Sequence, residues 1–379
     1  MLKTKERYEY IDNLRLFMII LVVLIHLAVT YSGIGDWYIM DTHELDIACT
    51  AIFGLFQSFT QAYFMGFLFF ISGFFVEKSY NKKGSKRFLM DRFKRLGIPT
   101  LIYMLIISPF INYVLLGHTW EKPSFLKYYL NRIITCDFIG GSGPLWFAFA
   151  LLIFNIIYCI IRILTKNKEV AEQKEIFSMK EVIGWFVLIS ICTFVVRLVQ
   201  PIGTSIINMQ LCFFSQYIVL FIVGIKWGRY NWFSKLSYQS AKRYLLSGTL
   251  LGTIVWAIMM LTGGALEGNL DIYMGGMSWQ SMVYALWESF VSITMSIGLV
   301  GVFREKYNHQ SKLIKILSDC SFSVYMFHAP IIITVSLVLY NLNLYPLLKF
   351  MLASVIGVPL CFVLSYYVFK RIPYLKNVL

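Results

Sequence analysis

Apolar residues gather in ten runs along the chain, and each run is long enough to cross a lipid bilayer as a helix. The hydrocarbon core needs about 20 helical residues, and polar stretches separate one run from the next. The pattern predicts an all-α, polytopic membrane helix bundle of about ten transmembrane helices, with one integral membrane domain over residues 1–379. The runs lie at residues 14–33, 51–76, 98–116, 146–164, 181–200, 211–228, 243–262, 280–302, 321–340 and 347–370.

Composition and charge support this topology. Of the 379 residues, 58% are hydrophobic and 14% are charged, which leaves too little polar surface for a soluble domain of this length. The net charge of +14 does not indicate a nucleic-acid partner, because most basic residues fall in alternate loops, as in the positive-inside rule. We therefore predict a multi-pass protein of the cell membrane with both termini in the cytoplasm. The intervening loops carry acidic residues, such as Asp36, Asp41, Glu44 and Asp46.

The seven cysteines are scattered, mostly within apolar runs. No pair has the spacing of a zinc site or a disulfide framework. No phosphate-binding loop, serine-hydrolase elbow or metalloprotease motif occurs either. We expect no metal and no permanently bound cofactor.

The first apolar run contains two residues that are costly in lipid, in the sequence DNLRLFMIILVVLIH. Arg15 and His26 are eleven residues apart, so on a helix they differ by about 20° in direction and about 16 Å in height. Asp12 lies one turn before Arg15 and is placed to pair with it. Alone, Arg15 is explained as an anchor at the cytoplasmic boundary and His26 as a buried imidazole bonded to a neighbouring helix. Both on one face favour a polar pathway through the bundle.

A basic loop with an Arg-x-x-Arg pattern follows the second run. Arg92 and Arg95 lie one turn apart on a predicted amphipathic helix that stops before Pro99. They suit either anionic lipid headgroups or the phosphates of a cytoplasmic ligand. Before the loop, Ser72 and Gly73 let another helix approach closely, although Ser72 is also a candidate cavity residue.

Four further polar or aromatic residues are candidates for the lining of a cavity. Trp146 follows a glycine-rich turn, GGSGP, that we expect beside a cavity, although an interfacial belt would also explain this tryptophan. Glu288 needs a partner inside the membrane, and pairing with Arg197 or a histidine is its structural explanation. Tyr325 and His328 lie near one face of the predicted ninth helix, towards its inner part, where a kinked helix before Pro330 is the alternative.

Five motifs, in order, resemble the acyltransferase-3 family of bacterial integral membrane acyltransferases. The stretches from MGFLFFISGFF to RLGIP, and GPLWF later, are most similar to the branch that contains the glucan-succinylating protein of periplasmic glucan synthesis. The resemblance covers essentially the whole chain. The motifs are YIDNLRLFMIILVVLIH, FFISGFF, DRFKRLGIP, GPLWF and SVYMFHAP.

The resemblance implies a membrane O-acyltransferase that moves an acetyl or succinyl group from cytoplasmic acyl-CoA to a hydroxyl of an extracytoplasmic carbohydrate or glycolipid. It implies Arg15 and His26 as the functional pair, and Arg92 and Arg95 on the donor side. An unperturbed imidazole titrates near neutrality, so our hypothesis makes His26 a general base in direct transfer.

Two other classes of function stay open at this point. The same polar stripe would serve a transporter or exporter of a small polar metabolite or a lipid-linked sugar, and the chain also suits a structural partner in envelope synthesis. The shortage of helix-interrupting Gly/Pro pairs in matching halves mildly disfavours transport. The sequence fixes neither the acyl group, nor the acceptor, nor the oligomeric state.

Overall fold

The computed structural model describes residues 8–41, 45–117, 123–165 and 178–373, so the predicted acidic residue Glu44 lies outside the described part. Over these ranges the chain is helical and forms no β-strand, which confirms the all-α prediction. We number twelve helices in chain order: α1 (Glu9–Ser32), α2 (Ile47–Gln61), α3 (Phe64–Arg92), α4 (93–115), α5 (Phe125–Ile134), α6 (Gly143–Leu164), α7 (Met179–Arg197), α8 (Leu211–Tyr230), α9 (Tyr238–Thr262), α10 (Trp279–Lys306), α11 (Lys312–Leu339) and α12 (Pro346–Tyr367).

Nine helical segments of the described chain are long and apolar enough to cross a membrane, one fewer than the ten predicted runs. The difference lies in the segment Ile47–Leu115, which joins α2, α3 and α4 and contains two of the runs. At Gly84 its backbone leaves helical geometry with φ 70° and ψ 166°, a conformation that glycine adopts without steric cost. Lys83 Nζ then lies 2.6 Å from Asp91 Oδ2, so the chain folds back on itself there and the segment crosses twice.

The basic helix does not stop before Pro99, which corrects the prediction made from the sequence. Helix α4 runs through both Pro99 and Pro109. A wider π turn precedes each proline, at Phe93–Gly97 and at Tyr103–Ile107, so each proline falls at the start of the next α-helical turn. A proline has no N–H to donate and is tolerated at that position.

Helix α11 begins nine residues before the apolar run 321–340. Ser311 caps it by accepting a hydrogen bond from the N–H of Ile314 at 3.3 Å, and its first turns carry the charged residues Lys312, Lys315 and Asp319. The longer helix shifts Tyr325 to its middle and His328 beyond the middle. Both residues thus lie around the midpoint of the observed helix, whereas the prediction placed them towards the inner part of a shorter one.

Helices α3 and α8 pack with their backbones in close approach. A Cβ atom at Gly73 would collide with the carbonyl oxygen of Phe221, and one at Gly224 would collide with that of Phe70. Small residues on both helices permit this approach, as is common between membrane helices. The packing role predicted for the Ser72–Gly73 pair thus falls on Gly73.

The loops between helices collect at two ends of the bundle. At the first, the Tyr345 hydroxyl donates to Asp46 at 2.9 Å, and the N–H of Ile202 donates to the carbonyl of Met274 at 2.8 Å. We call this the cavity end, because a large cavity opens there. At the opposite end, Asn13 Nδ2 donates to the carbonyl of Tyr307 at 2.7 Å. That end carries the basic turn around Gly84, and we call it the basic end.

Cys136 offers a test of the predicted orientation. It is exposed at the cavity end, whereas the other described cysteines are buried or, for Cys192, partly covered on α7. With both termini cytoplasmic, a membrane-impermeant maleimide should label the wild type in intact spheroplasts, and Cys136→Ser should abolish that labelling. Labelling that requires permeabilised membranes would reverse the orientation.

Candidate active site

A cavity of about 1150 Å³ lies at the cavity end, between α1, α2, α4, α8 and α9 and the loops that join them. Its volume exceeds that of most small-molecule sites, so it has room for a large ligand or for two reactants. Aromatic rings and side-chain amides make up much of its wall. The aromatic residues are Trp37, Tyr38, Phe64, Trp146, Phe213, Tyr217, Trp256, Tyr273, Tyr284 and Tyr325, and the amides are Gln57, Gln61, Asn112, Asn208 and Gln210.

Two histidines that are 302 residues apart in sequence meet at this cavity. His26 on α1 lines the cavity, and its Nδ1 lies 3.1 Å from Nε2 of His328 on α11, which is fully buried behind it. Both were candidate site residues in the sequence. Their pairing was not predicted.

For two neutral rings, the hydrogen bonds of this pair assign which nitrogens carry protons. His328 Nδ1 lies 2.9 Å from the carbonyl oxygen of Tyr325 and 3.3 Å from that of Val324. A carbonyl only accepts, so His328 Nδ1 is the donor, and the neutral ring then has an acceptor at Nε2. His26 must donate to it from Nδ1, which leaves His26 Nε2 unprotonated and able to accept a proton.

Trp37 covers one face of His26. The two ring centroids are 3.8 Å apart with an interplanar angle of 24°, and the indole N–H has no acceptor among the described residues. Sequence reasoning missed this residue. Its place in an end loop is what an ordinary interfacial tryptophan also shows, so the sequence held no distinguishing signal.

The loop that carries Trp37 is held over the end of α1 by buried contacts. Gly33 ends the helix in the left-handed conformation, and the N–H of Asp41 donates to the carbonyl of Thr30 at 2.8 Å. Lys349 Nζ on α12 lies 2.5 Å from Asp41 Oδ2, and these side chains are 0% and 4% exposed. The ion pair thus ties the end of this loop, which is bonded to α1, to helix α12.

The remaining candidates on the cavity side fall into two groups. Trp146 and Tyr325 line the cavity, and the Tyr325 hydroxyl donates to the carbonyl of Pro144 in the glycine-rich turn. Ser72 and Glu288 are not among the lining residues. Glu288 Oε2 instead lies 2.5 Å from Arg197 Nη2 with both side chains buried, which is the structural explanation foreseen for it.

The arginine candidates lie towards the basic end and do not line the cavity. Arg15 pairs with Asp12 at 3.3 Å, and its guanidinium lies 5.3 Å from the ring centroid of Phe75. Arg15, Arg92 and Arg95 are close enough to repel one another electrostatically. This cluster of three cations, on α1, α3 and α4, is suited to a ligand with several negative charges.

Comparison with known proteins assigns the architecture to a family. The model of the acyltransferase-3 family, described as an acyltransferase domain, matches residues 8–366. The chain is also similar to glucans biosynthesis protein C of Escherichia coli strain SMS-3-5, at 24% identity over 92% of this chain and 95% of the relative. The protein of the same name from Escherichia coli O81 is 23% identical over the same shares. No solved structure matches the chain.

The ion pair between Asp41 and Lys349 makes a prediction about stability. Asp41→Asn or Lys349→Met leaves one buried charge uncompensated, so each should destabilise the protein by about 3–5 kcal/mol, and the double variant by clearly less than the sum. Thermal unfolding in detergent, followed by tryptophan fluorescence, measures this. Additive losses would mean that the two side chains are not coupled.

Proposed function

The chain belongs to the acyltransferase-3 family, and on that premise we propose that this multi-pass membrane acyltransferase moves an acyl group from acyl-CoA to a hydroxyl of a carbohydrate or glycolipid. We place it in the cell membrane, with the donor entering from the cytoplasm and the acceptor from outside. The observation that carries the proposal is the imidazole of His26, which lines a large cavity and whose Nδ1 lies 3.1 Å from Nε2 of His328. In the tautomer assigned above, its Nε2 would serve as the base. Family membership favours an enzyme over the transporter hypothesis.

The proposed reaction uses one base. The acceptor hydroxyl oxygen attacks the thioester carbonyl carbon while His26 Nε2 takes the hydroxyl proton. The tetrahedral intermediate then collapses, the carbon–sulfur bond breaks, and the imidazolium returns the proton to the leaving thiolate. The products are an O-acyl ester and free CoA thiol, and His26 regains its starting state.

The imidazolium formed at His26 has two neighbours that stabilise it. His328 accepts from Nδ1 throughout, and this bond becomes charge-assisted once the ring is positive. Trp37 presents its π face at 3.8 Å, a cation–π contact that also shields one face of the ring from water. We therefore assign His328 as a positioning residue for His26.

A carbohydrate acceptor suits the cavity. Sugars present hydroxyls on an apolar ring, and the wall combines amides that bond hydroxyls with aromatic faces that cover rings. The two relatives are named for glucan biosynthesis, which supports the same class of acceptor.

The donor is proposed to bind from the basic end. Arg92 and Arg95 would hold the phosphates of CoA through charge-assisted hydrogen bonds, and Arg15 would guide the thioester arm along α1. On a helix, Arg15 and His26 are about 16 Å apart along the axis, so an extended arm is required to connect phosphates and thioester.

The base is tested by release of free CoA thiol on addition of an acceptor glucan. His26→Ala should lower kcat by about 10²–10⁴-fold while acyl-CoA binding is kept, because a positioned base contributes that much. His328→Ala should lower kcat about tenfold or more at unchanged KM, and should alter the pH profile by releasing the tautomer of His26. His309→Ala, an exposed histidine at the basic end, serves as the control.

Full transfer by His26→Ala would remove the base from the mechanism. If His328→Ala loses activity only in proportion to its loss of thermal stability, and its pH profile is unchanged, His328 is a packing residue. Movement of unmodified glucan without thiol release would return the transporter hypothesis.

The donor side is tested separately. Arg92→Ala with Arg95→Ala should raise the KM for acyl-CoA by about tenfold or more, because charge-assisted hydrogen bonds are lost, and should change kcat little. Lys94→Ala, an exposed cation between them, is the matched control. An unchanged KM for the donor would leave the two arginines as topology signals.

A further inference from the structure

Arg132 is the only Lys or Arg among the described residues that line the cavity. It lies on α5, a ten-residue helix near the cavity end that is too short to cross the membrane. None of the roles proposed above uses this residue. A cation at the wall of a substrate cavity, at a distance from the basic end, needs a physical account.

Within the described part of the chain, the guanidinium of Arg132 is largely unpaired. Nη1 donates to the Tyr128 hydroxyl at 3.3 Å, whereas Nε and Nη2 are buried and have no acceptor among the described residues. The two carboxylates of the cavity, Asp36 and Asp137, form no ion pair with it, and Asp137 instead accepts from the hydroxyl of Thr135. Buried donors without acceptors are costly and uncommon in native structures.

The wall around Arg132 is built to hold the guanidinium beside the cavity. Gly141 makes room for it, since a Cβ there would lie 2.5 Å from Nη2. Ser108 and Asn112 on α4 line the same wall and add a hydroxyl and an amide, with Asn112 Nδ2 donating to Ser108 Oγ at 3.4 Å. A planar fork of donors next to neutral polar groups fits a planar or tetrahedral oxyanion.

We propose that Arg132 forms a subsite that binds a carboxylate or phosphate group of the substrate held in the cavity. This rests on the proposed function only in naming the occupant a substrate. The oxyanion has two sources: the free carboxylate of a dicarboxylic acyl group, or an anionic substituent on the acceptor. Turning the side chain towards the cavity brings Nε and Nη2 onto the anion together.

The first experiment measures binding without catalysis. Purified full-length protein in lipid nanodiscs is titrated with succinate, glucose 1-phosphate and uncharged glucose, followed by tryptophan fluorescence, because Trp37, Trp146 and Trp256 line the cavity. We expect at least one anion to bind tenfold or more tightly than glucose. Arg132→Gln should reduce that preference below twofold, and Lys127→Gln on the same helix should keep it.

A second pair of variants leaves the arginine in place. Gly141→Ala should displace the guanidinium and lower the anion preference, whereas Gly140→Ala should keep the preference, since a Cβ at Gly140 meets no atom within 4 Å. This pair decides the matter if Arg132→Gln does not fold. Equal binding of anions and glucose by the wild type, or an anion preference that survives in Arg132→Gln and Gly141→Ala, overturns the subsite.

Transfer assays distinguish the two sources. Dependence on Arg132 with succinyl-CoA but not with acetyl-CoA assigns the subsite to the acyl group. Dependence with a phosphorylated but not a neutral glucan assigns it to the acceptor. A wild type that binds anions through Arg132 but releases no CoA thiol keeps the subsite and removes the proposed function. Release of CoA thiol without any anion preference that depends on Arg132 keeps the proposed function and removes the subsite.

Discussion

The structure depends on one constraint, which is that a polar group inside a bilayer must find its partner within the protein. The bundle meets it with pairs between distant helices: Glu288 with Arg197, Lys349 with Asp41, and His328 with His26. Each pair also joins segments that are far apart in sequence, so satisfying the polar groups and fixing the packing are the same event. In this setting Arg132 differs from Arg197 and Lys349, because it forms no ion pair with a carboxylate of the described residues.

The histidine pair differs from a histidine held by a carboxylate. The orientation of His328 comes from backbone carbonyls one turn earlier on its own helix, which accept from its Nδ1 in the neutral tautomer assigned above. A neutral acceptor fixes the tautomer of His26 but stabilises an imidazolium less than a carboxylate would. The stacked ring of Trp37 adds a contact that would strengthen if His26 took a proton in the proposed reaction. The proposed mechanism thus divides tautomer control and charge stabilisation between two side chains.

The bundle is also polarised from end to end. Arg15, Arg92 and Arg95 lie towards one end, while the cavity with its aromatic and amide wall opens among the loops of the other. His26 lies on the helix that runs from the cation cluster to the cavity. The proposed transfer, in which donor and acceptor enter from opposite sides of the membrane and meet at His26, would use this separation.

The sequence by itself determined the class of fold, the spans and the shared face of Arg15 and His26, because hydrophobic run length and helical period are local properties. It also indicated His328 and Trp146 as candidates for the lining of a cavity. It did not reveal that His328 binds His26, that Trp37 stacks on it or that Lys349 anchors the Trp37 loop, because such contacts depend on which helices become neighbours. The continuation of α4 through Pro99 was likewise decided by a wider turn that no residue pattern announces. Helical periodicity can be read from neighbouring residues of the sequence, whereas pairing between distant helices is decided only when the helices pack.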